Sequence, residues 1–397
     1  MYKRVFVTGI GIVSAIGNNV VETIDSLKAS KTGIINTSDF ISSPRSIPVA
    51  AVKLNNLDLI SLLKLNEQSK MYSRTALLGM LAAKEALNYI KRSYSKQPRT
   101  GLVSATTVGG MNFSEQFYNG LLADDTYKEY IETFDCGDVA ERIADFLAIK
   151  DYVATISTAC SSSANAIMLG ARLIKNNKLD RALVGGTDAL TKFTISGFNS
   201  LEILDTEPCK PFDANRKGLT IGEGAAYLLL ESEEIVNKEN IICELKGYAN
   251  ANDAFHPTAS SPEGFGAYLA MKQTLDKGNI EPNAIDYINA HGTGTDINDI
   301  SEGRAIEKLF LPKIPPISST KAFTGHTLGA SGAIEAVLSA LAIKHRMIYP
   351  NLHFNQQIKE LSFAPVTKLL TNVNIKNVLS NSFGFGGNNT SLLFSLQ

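Results

Sequence analysis

Hydrophobic and polar positions along this chain follow two alternating patterns, short β-branched runs and longer stripes with helical spacing. The run DYVATIST at 151–158 is short and β-branched, which predicts a buried strand. The segment that follows it, SANAIMLGARLI, places its apolar residues on one face of a helix. RALVGGTDA and the run AAYLLLES at 225–232 predict two further strands. Because strand-like and helix-like segments alternate throughout, the pattern predicts an α/β fold.

The second part of the chain repeats this order of elements. AIDYINAHGTGT predicts a strand into a turn, and PPISSTKAFTGHTLGASGAIEAVLSALAIKH predicts a short strand, a loop and a helix. GEG at 222–224 precedes one closing strand, and GFGG at 384–387 precedes the other. The repeat predicts a duplicated unit with similar halves at 1–240 and 241–397.

The first segment, MYKRVFVTGIGIVSAIG, has basic residues before an apolar run, as a signal peptide has, but polar residues and glycines interrupt the run. We predict a strand at 4–8 that runs into a tight glycine loop. Gly9, Gly11 and Gly17 lack the G-x-G-x-x-G spacing of a dinucleotide site. No run of 18 apolar residues occurs, so no membrane insertion is expected.

Composition narrows the function classes further. The 397 residues are 44% hydrophobic and 19% charged, as in ordinary globular proteins. A formal net charge of -1 provides no global basic field, so nucleic acid is not expected as a partner. The four cysteines are widely spaced, without a CxxC pair or zinc-finger spacing. That usage favours a reduced, cytoplasmic setting.

One cysteine lies where a nucleophile would be useful. Cys160, in TACSSSA, falls at the end of a predicted strand and the start of a predicted helix. The first-turn N–H groups of a helix lack partners and carry partial positive charge. We expect them to lower the pKa of the thiol and make it a nucleophile. A small buried structural cysteine is the alternative.

Two of the five histidines have a similar context. His291 opens HGTGT just after a predicted strand, and His326 lies in KAFTGHTLGASGA just before a predicted helix. Both are surrounded by small residues that let a ligand approach. His345 falls at a helix end, where a histidine favours the helix C-terminus. Cys160, His291 and His326 are therefore the candidate reactive residues.

Four segments together resemble the elongating (type I/II) β-ketoacyl-[acyl-carrier-protein] synthases of the thiolase-like superfamily: TACSSSA, NAHGTGTDINDISE, STKAFTGHTLGASGAIEA and NSFGFGGNNTSLLF. KPFDANRKGLTIGEGAAYLLLE resembles the family's middle motif, so the resemblance spans nearly the whole chain. It implies a thiolase-like fold, with two similar halves in a five-layered αβαβα arrangement, and a homodimer. The implied chemistry is transthioesterification followed by decarboxylative Claisen condensation of acyl and malonyl thioesters borne by acyl carrier protein. No cofactor is required beyond the phosphopantetheine that arrives on the carrier.

The resemblance implies a role for each matching residue. Cys160 would accept the acyl chain, with the backbone N–H groups of Cys160 and Phe385 as the oxyanion hole. His291 and His326 would bind the malonyl thioester oxygen. Lys321 would lie near His326, and Glu302 would pair with His291; the alternative for Lys321 and Glu302 is an ordinary surface pair.

Further matches concern substrate binding. Thr293 and Thr295 would hydrogen-bond the pantetheine arm, and Phe383 would line the same site. Phe385, between glycines, would gate access to the nucleophile; core packing is the alternative. Val108 matches an acyl-pocket position, where a small residue would admit a longer or bulkier chain.

A monovalent cation and a carrier-docking patch complete the implied features. The cation would be held by Asn289, Glu335, Asn381 and Ser382. An acidic carrier protein requires a basic tunnel mouth. Lys70 and Lys210 match docking positions, Lys64 does so less closely, and Ser69 stands where relatives often have arginine.

Two departures leave the pathway open. Asp296 stands where many fatty-acid enzymes have proline, and GGNN replaces the commoner GGTN. We favour 3-oxoacyl-carrier-protein synthase II-like elongation in fatty acid biosynthesis; the alternative is a ketosynthase of an aryl polyene, flexirubin-like pigment or polyketide pathway. A thiolase would need a second cysteine in a C-terminal C-x-G motif, and no cysteine follows Cys243. The TGH histidine and its lysine argue against an initiating type III synthase, and Cys160 argues against a non-catalytic chain-length subunit.

Overall fold

The computed structural model describes residues 3–37, 47–66, 72–88, 97–123 and 129–397. Its α-helices are α1 (Val20–Lys28), α2 (Asn56–Leu63), α3 (Arg74–Leu87), α4 (Met111–Ala123), α5 (Glu129–Glu132), α6 (Cys136–Phe146), α7 (Ser162–Lys175), α8 (Lys192–Ser200), α9 (Phe265–Gly278), α10 (Asp296–Phe310), α11 (Lys321–Thr324) and α12 (Ser331–His345). Its strands are β1 (Val5–Ser14), β2 (Ile35–Thr37), β3 (Ile47–Ala50), β4 (Thr100–Ala105), β5 (Tyr152–Ile156), β6 (Arg181–Asp188), β7 (Ile221–Gly222), β8 (Gly224–Ser232), β9 (Cys243–Asn252), β10 (Tyr287–Asn289), β11 (Ile317–Ser318), β12 (Asn377–Gly384) and β13 (Asn388–Ser395).

The main sheet has an internal repeat. Within the described ranges its ten strands run in the order β11-β10-β12-β13-β9-β1-β8-β6-β4-β5. Counted outward from the centre, one half of the sheet runs β1-β8-β6-β4-β5 and the other runs β9-β13-β12-β10-β11. In each half, the first two strand pairings are antiparallel and the last two are parallel, so the two halves match. The two sets join where Phe6 and Val7 pair with Glu244 and Cys243.

Helices cover both sets of strands and separate them. α3 packs on β1, β6 and β8, with α6 beside it, whereas α9 packs on β9 and β13, with α10 beside it. α7 and α12 contact each other and strands of both sets, so they form the central layer. The sequence of layers is αβαβα, which confirms the predicted fold class. α12 is buried along nearly its whole length, as a central helix must be.

The N-terminal glycines have a different role from the one predicted. β1 continues through Gly9 and Gly11 to Ser14, with an irregularity at Val7 and Gly9, so the predicted glycine loop is wrong. A Cβ on Gly9 would lie 2.1 Å from the carbonyl oxygen of Ala86, and one on Gly11 would lie 2.0 Å from that of Ala82. These glycines therefore let α3 pack directly against the strand backbone.

The topology brings distant loops to one place. β4 and β5 are parallel, as are β10 and β11, so the loops after them leave from their carboxyl ends. Such loops are the usual position of sites in α/β folds. No described helix is both long and apolar enough to cross a bilayer.

Candidate active site

Cys160 lies in a sharp turn between β5 and α7. Ala159 has a left-handed φ of 52° and Ser161 is the N-cap of α7. The Ser162 hydroxyl donates to the Ala159 carbonyl at 2.6 Å and accepts from the Thr158 N–H at 2.7 Å. The strained residue and its two flanking hydrogen bonds fix Cys160, which is 7% exposed, at the base of a cavity.

His291 follows β10, and a buried carboxylate shapes its loop. The backbone N–H groups of His291 and Gly292 donate to Glu302 at 2.9 and 2.8 Å. Asp299 accepts from the N–H groups of Gly294 and Phe212 at 3.2 and 2.7 Å. Two acidic residues of α10 thus hold the HGTGT loop through its backbone, and Glu302 contacts the main chain of His291.

His326 is held by its main chain and by one ring nitrogen. Its N–H donates to the Thr220 carbonyl at 2.7 Å. The Leu328 N–H donates to His326 Nδ1 at 3.0 Å, and the Ser331 hydroxyl lies 3.2 Å from the same atom. Because a backbone N–H can only donate, Nδ1 accepts, and the neutral ring carries its proton on Nε2.

Lys321 sets the same tautomer on His291. Its ammonium lies 3.1 Å from His291 Nδ1, donates to the His291 carbonyl at 2.6 Å, and makes a close ion pair with Glu335. All three ammonium protons are thereby used. With an ammonium at Nδ1, the neutral His291 ring also carries its proton on Nε2. Lys321 therefore contacts the His291 ring directly, and its charge also acts on His326, near which the sequence placed it.

Cys160, His291 and His326 line one cavity of about 190 Å³. The Cys160 sulfur and one ring nitrogen of each histidine lie within 4.8 Å of one another. The two imidazoles are edge-to-face, with centroids 5.4 Å apart. With each Nδ1 engaged by protein, the two Nε2–H groups remain as donors to a ligand beside the sulfur.

Burial governs the protonation states. It lowers the pKa of His291 and of His326 well below 6.5, and the nearby Lys321 charge lowers them further, so both rings are neutral at pH 7. Burial raises the pKa of Glu302 and of Glu335 to about 7 each, against the hydrogen bonds to Glu302 and the Lys321 charge beside Glu335.

The expected lowering of the Cys160 pKa is wrong. Burial raises the pKa of the thiol to about 11, although Lys321 and the N–H groups of Phe385 and Cys160 act in the opposite direction. The N–H groups that face the sulfur are therefore those of Phe385 and Cys160 itself, not those of the first turn of α7. Desolvation of a buried sulfur outweighs these few dipoles.

The Cys-His-His cluster does not fit a metal ion. A metal would need a lone pair on Nε2 of each ring, yet the partners of Nδ1 keep the Nε2 proton in place. Of the four residues proposed for a monovalent cation, Asn289 and Ser382 contact Glu335, whereas Asn381 contacts Glu302. Asn381 and Ser382 point to opposite faces of β12: the Asn381 amide donates to Glu302 at 3.1 Å, and the Ser382 hydroxyl lies 3.5 Å from Glu335. Asn289 donates to the Glu335 carbonyl at 3.4 Å, and we derive no step through a cation.

Comparison with known proteins identifies the family. The model described as "Beta-ketoacyl synthase, N-terminal domain" matches residues 2–235, and "Beta-ketoacyl synthase, C-terminal domain" matches residues 242–355. The chain belongs to the β-ketoacyl synthase family. It is an elongating condensing enzyme of that family, and therefore an acyltransferase.

This β-ketoacyl synthase has similar relatives over its full length. The 3-oxoacyl-[acyl-carrier-protein] synthase 2 of Staphylococcus aureus (strain COL) is 33% identical, covering 99% of this chain and 98% of its own. The protein of the same name from Coxiella burnetii is 34% identical over the same shares. A solved ketosynthase in complex with its chain length factor, from Xenorhabdus doucetiae, has a TM-score of 0.89 and 32% identity, and covers 100% of this chain and 98% of its own.

Seven of the predicted site residues line the cavity of the synthase, and the other described ones do not. Thr293, Thr295, Phe383 and Phe385 line it with the reactive residues, and the two threonine hydroxyls lie 2.8 Å apart. Val108 is 4% exposed and packs among apolar side chains behind the lining. The surface-pair alternative for Lys321 and Glu302 is wrong, because both are buried and neither contacts the other.

Of the lysines predicted to dock the carrier protein, Lys210 and Lys64 lie in the described part of the chain. Lys210 pairs with Glu207 and is not among the lining residues, and Lys70 and Ser69 fall outside the described residues. Lys64 is exposed at the C-cap of α2.

Sequence reasoning missed two features. It predicted a cation-binding role for Glu335 and did not predict that Glu335 is the counter-ion of Lys321. It also missed Lys217, an exposed residue that lines the cavity with the exposed carboxylates Glu202 and Asp296. The polar run ANRKG gives no periodic signal that would have indicated a cavity wall.

Proposed function

We propose that this synthase extends an acyl chain on acyl carrier protein by decarboxylative Claisen condensation with malonyl-carrier-protein, in fatty acid biosynthesis. The observation that carries the proposal is the thiol beside two neutral imidazoles whose Nε2–H groups are free to donate. A nucleophile that holds the acyl group and paired donors for an enolate oxygen are what the two half-reactions need.

In the first half-reaction, the Cys160 sulfur bonds to the acyl carbonyl carbon and the carbon–sulfur bond to phosphopantetheine breaks. The Cys160 thiol proton ends on the leaving pantetheine thiolate. The N–H groups of Cys160 and Phe385, which face the sulfur, would bind the oxyanion of the tetrahedral intermediate. No net proton is gained or lost in this exchange.

In the second half-reaction, the carbon–carbon bond to the malonyl carboxylate breaks and CO₂ leaves. The enolate oxygen accepts from Nε2–H of His291 and His326, and Lys321 holds His291 in the donor tautomer. The enolate carbon then attacks the Cys160 thioester, the carbon–sulfur bond breaks, and the thiolate takes a proton from solvent. The product is a 3-oxoacyl thioester two carbons longer.

Substrate binding follows from the rest of the cavity. The hydroxyls of Thr293 and Thr295 would hydrogen-bond the amides of the pantetheine arm. Phe385, half-buried and stacked on Phe198 with centroids 5.9 Å apart, would gate the entrance. Lys217, Lys210 and Lys70 would attract an acidic carrier.

A homodimer fits the exposed edge of the main sheet. β5 is an outermost strand, and Val153 on it is 39% exposed. An unpaired edge is a template for strand pairing, and a second copy related by a two-fold axis would cover it. We further propose halves at 1–240 and 241–397, which the strand repeat supports, and a cytoplasmic setting, which the four free thiols support.

The proposal is tested by incubating the purified protein with malonyl-carrier-protein and a panel of acyl-carrier-proteins, with intact-mass readout. Saturated acyl chains are expected to gain two carbons as 3-oxoacyl products, and a Cys160→Ala control is expected to give none. Extension of polyenoyl chains alone would show that the aryl polyene, pigment or polyketide reading is right instead.

A further inference from the structure

A network of amide and hydroxyl side chains lies directly behind the nucleophile turn, and the mechanism above does not use it. It joins the turn to α7, β9 and β13 through Thr158, Ser161, Asn165, Asn250, Asn388 and Thr390. The Asn165 amide donates to the Thr158 hydroxyl at 2.9 Å, and the Thr390 hydroxyl donates to Asn165 Oδ1 at 2.8 Å. Fully paired networks of this kind hold their members in one arrangement.

Asn388 is the shared acceptor of this network. Its Oδ1 lies 2.8 Å from the Ser161 hydroxyl, 3.0 Å from the Asn165 amide nitrogen and 2.6 Å from the Asn250 amide nitrogen. Ser161 is the residue after Cys160 and the N-cap of α7, and its side chain makes no capping bond. The hydroxyl is directed to Asn388 and to the Thr158 carbonyl instead.

Asn388 also closes the hairpin that carries Phe385. It opens β13 and pairs with Gly384 at the end of β12, so the tip between them contains Phe385. A Cβ on Gly384 would lie 3.1 Å from the Cys160 nitrogen, so the hairpin and the turn are in close contact. One side chain thus connects the two backbone segments whose N–H groups face the Cys160 sulfur.

We propose that Asn388 is a positioning residue for acyl transfer, which holds the Cys160 turn and the Phe385 hairpin in register so that both N–H groups point at the reacting carbonyl. This inference rests on the proposed roles of those N–H groups. It assigns Asn388 to the steps at the Cys160 thioester and not to malonyl decarboxylation, because no described contact links its side chain to His291, His326 or Lys321. GGNN, the departure noted in the sequence, would then have a chemical function.

The test separates the two half-reactions in Asn388→Leu, which removes the acceptor at similar volume. Acylation of Cys160 by acyl-carrier-protein is followed by quenched-flow intact mass, and malonyl decarboxylation by CO₂ release. Misplacement of the hairpin relative to the turn is expected to slow acylation at least about tenfold. Decarboxylation is expected to stay within about twofold, because it needs no acyl-enzyme. Thr187→Val, which loses one buried hydrogen bond to the Thr75 carbonyl on the α3 face of β6, is the matched control and should alter neither rate.

Equal losses in acylation and in decarboxylation, or unchanged acylation, would overturn the inference. A wild-type protein that never acylates would instead contradict the proposed function. Asn388→Asp keeps an acceptor for all three donors, so it provides a second test should the leucine variant fail to fold. It is expected to acylate faster than Asn388→Leu, because the Ser161 and Asn165 donors keep their acceptor. Acylation as slow as in the leucine variant would also contradict the proposal.

Discussion

In the first half of the sheet, β5 leads through Cys160 into α7; in the second half, the corresponding strand β11 leads through Lys321 and His326 into α12. The strand order around these loops is the same, but their chemistry differs. One loop presents a thiol that burial keeps protonated, and the other presents a cation that sets the tautomer of a neighbouring ring. A repeated scaffold thus brings two unlike sites to one cavity: one holds the acyl group, and the other stabilises the enolate that decarboxylation forms.

The largest effect is expected from the first loop. Cys160→Ala removes the nucleophile, so acyl transfer and condensation should fall at least about 1,000-fold. Malonyl decarboxylation should remain, because both imidazole donors remain. Intact-mass and CO₂ assays on the same preparation check both statements. Loss of decarboxylation in this variant would show that the Cys160 loop is needed for decarboxylation as well as for acyl transfer.

The reciprocal change acts on the second loop. His326→Ala removes one of two Nε2–H donors to the enolate, so decarboxylation should fall about 100- to 1,000-fold. Acylation of Cys160 should fall less than tenfold in a single-turnover mass assay. A variant that decarboxylates at the wild-type rate would show that His326 does not bind the developing charge.

The buried ion pair of the second loop supplies a stability comparison. Glu335→Gln leaves the Lys321 ammonium buried without a counter-charge, which should lower the free energy of unfolding by about 3 kcal/mol in urea titrations. Glu302→Gln is the matched control, since Glu302 faces donors and no cation. If both variants lose equal stability, the Lys321 charge is not what Glu335 neutralises.

A smaller effect concerns pH. Burial raises the pKa of Glu302 from 4.5 to about 7, so between these values the folded state binds its proton more strongly than the unfolded state does. The contribution of this group to stability is therefore present below pH 4.5 and is lost as pH rises through about 7. Between pH 4.5 and about 7, the free energy of unfolding should change with pH differently in wild type and in Glu302→Gln. Outside this range, the two proteins should show the same pH dependence. Identical slopes inside the range would contradict the raised pKa.

Much of this arrangement is predictable from sequence, and the exceptions have physical causes. The reactive residues lie in short segments of small residues beside strands, and the cavity gathers Cys160, His291 and His326 as expected. The pKa of Cys160 was predicted in the wrong direction because local helix polarity is visible in sequence, whereas the desolvation that outweighs it depends on distant packing. Gly9 and Gly11 were assigned to a loop because the close approach of α3 leaves no periodic signal. The Lys321–Glu335 pair joins different helices, so spacing along the chain could not reveal it.

The most direct test is the protonation of the two active-site rings. Nitrogen-15 NMR of histidine-labelled protein at pH 7, assigned with His291→Ala and His326→Ala, should show both rings neutral with the proton on Nε2. A proton on Nδ1 of either ring, or an imidazolium, would contradict the paired donors on which this account depends.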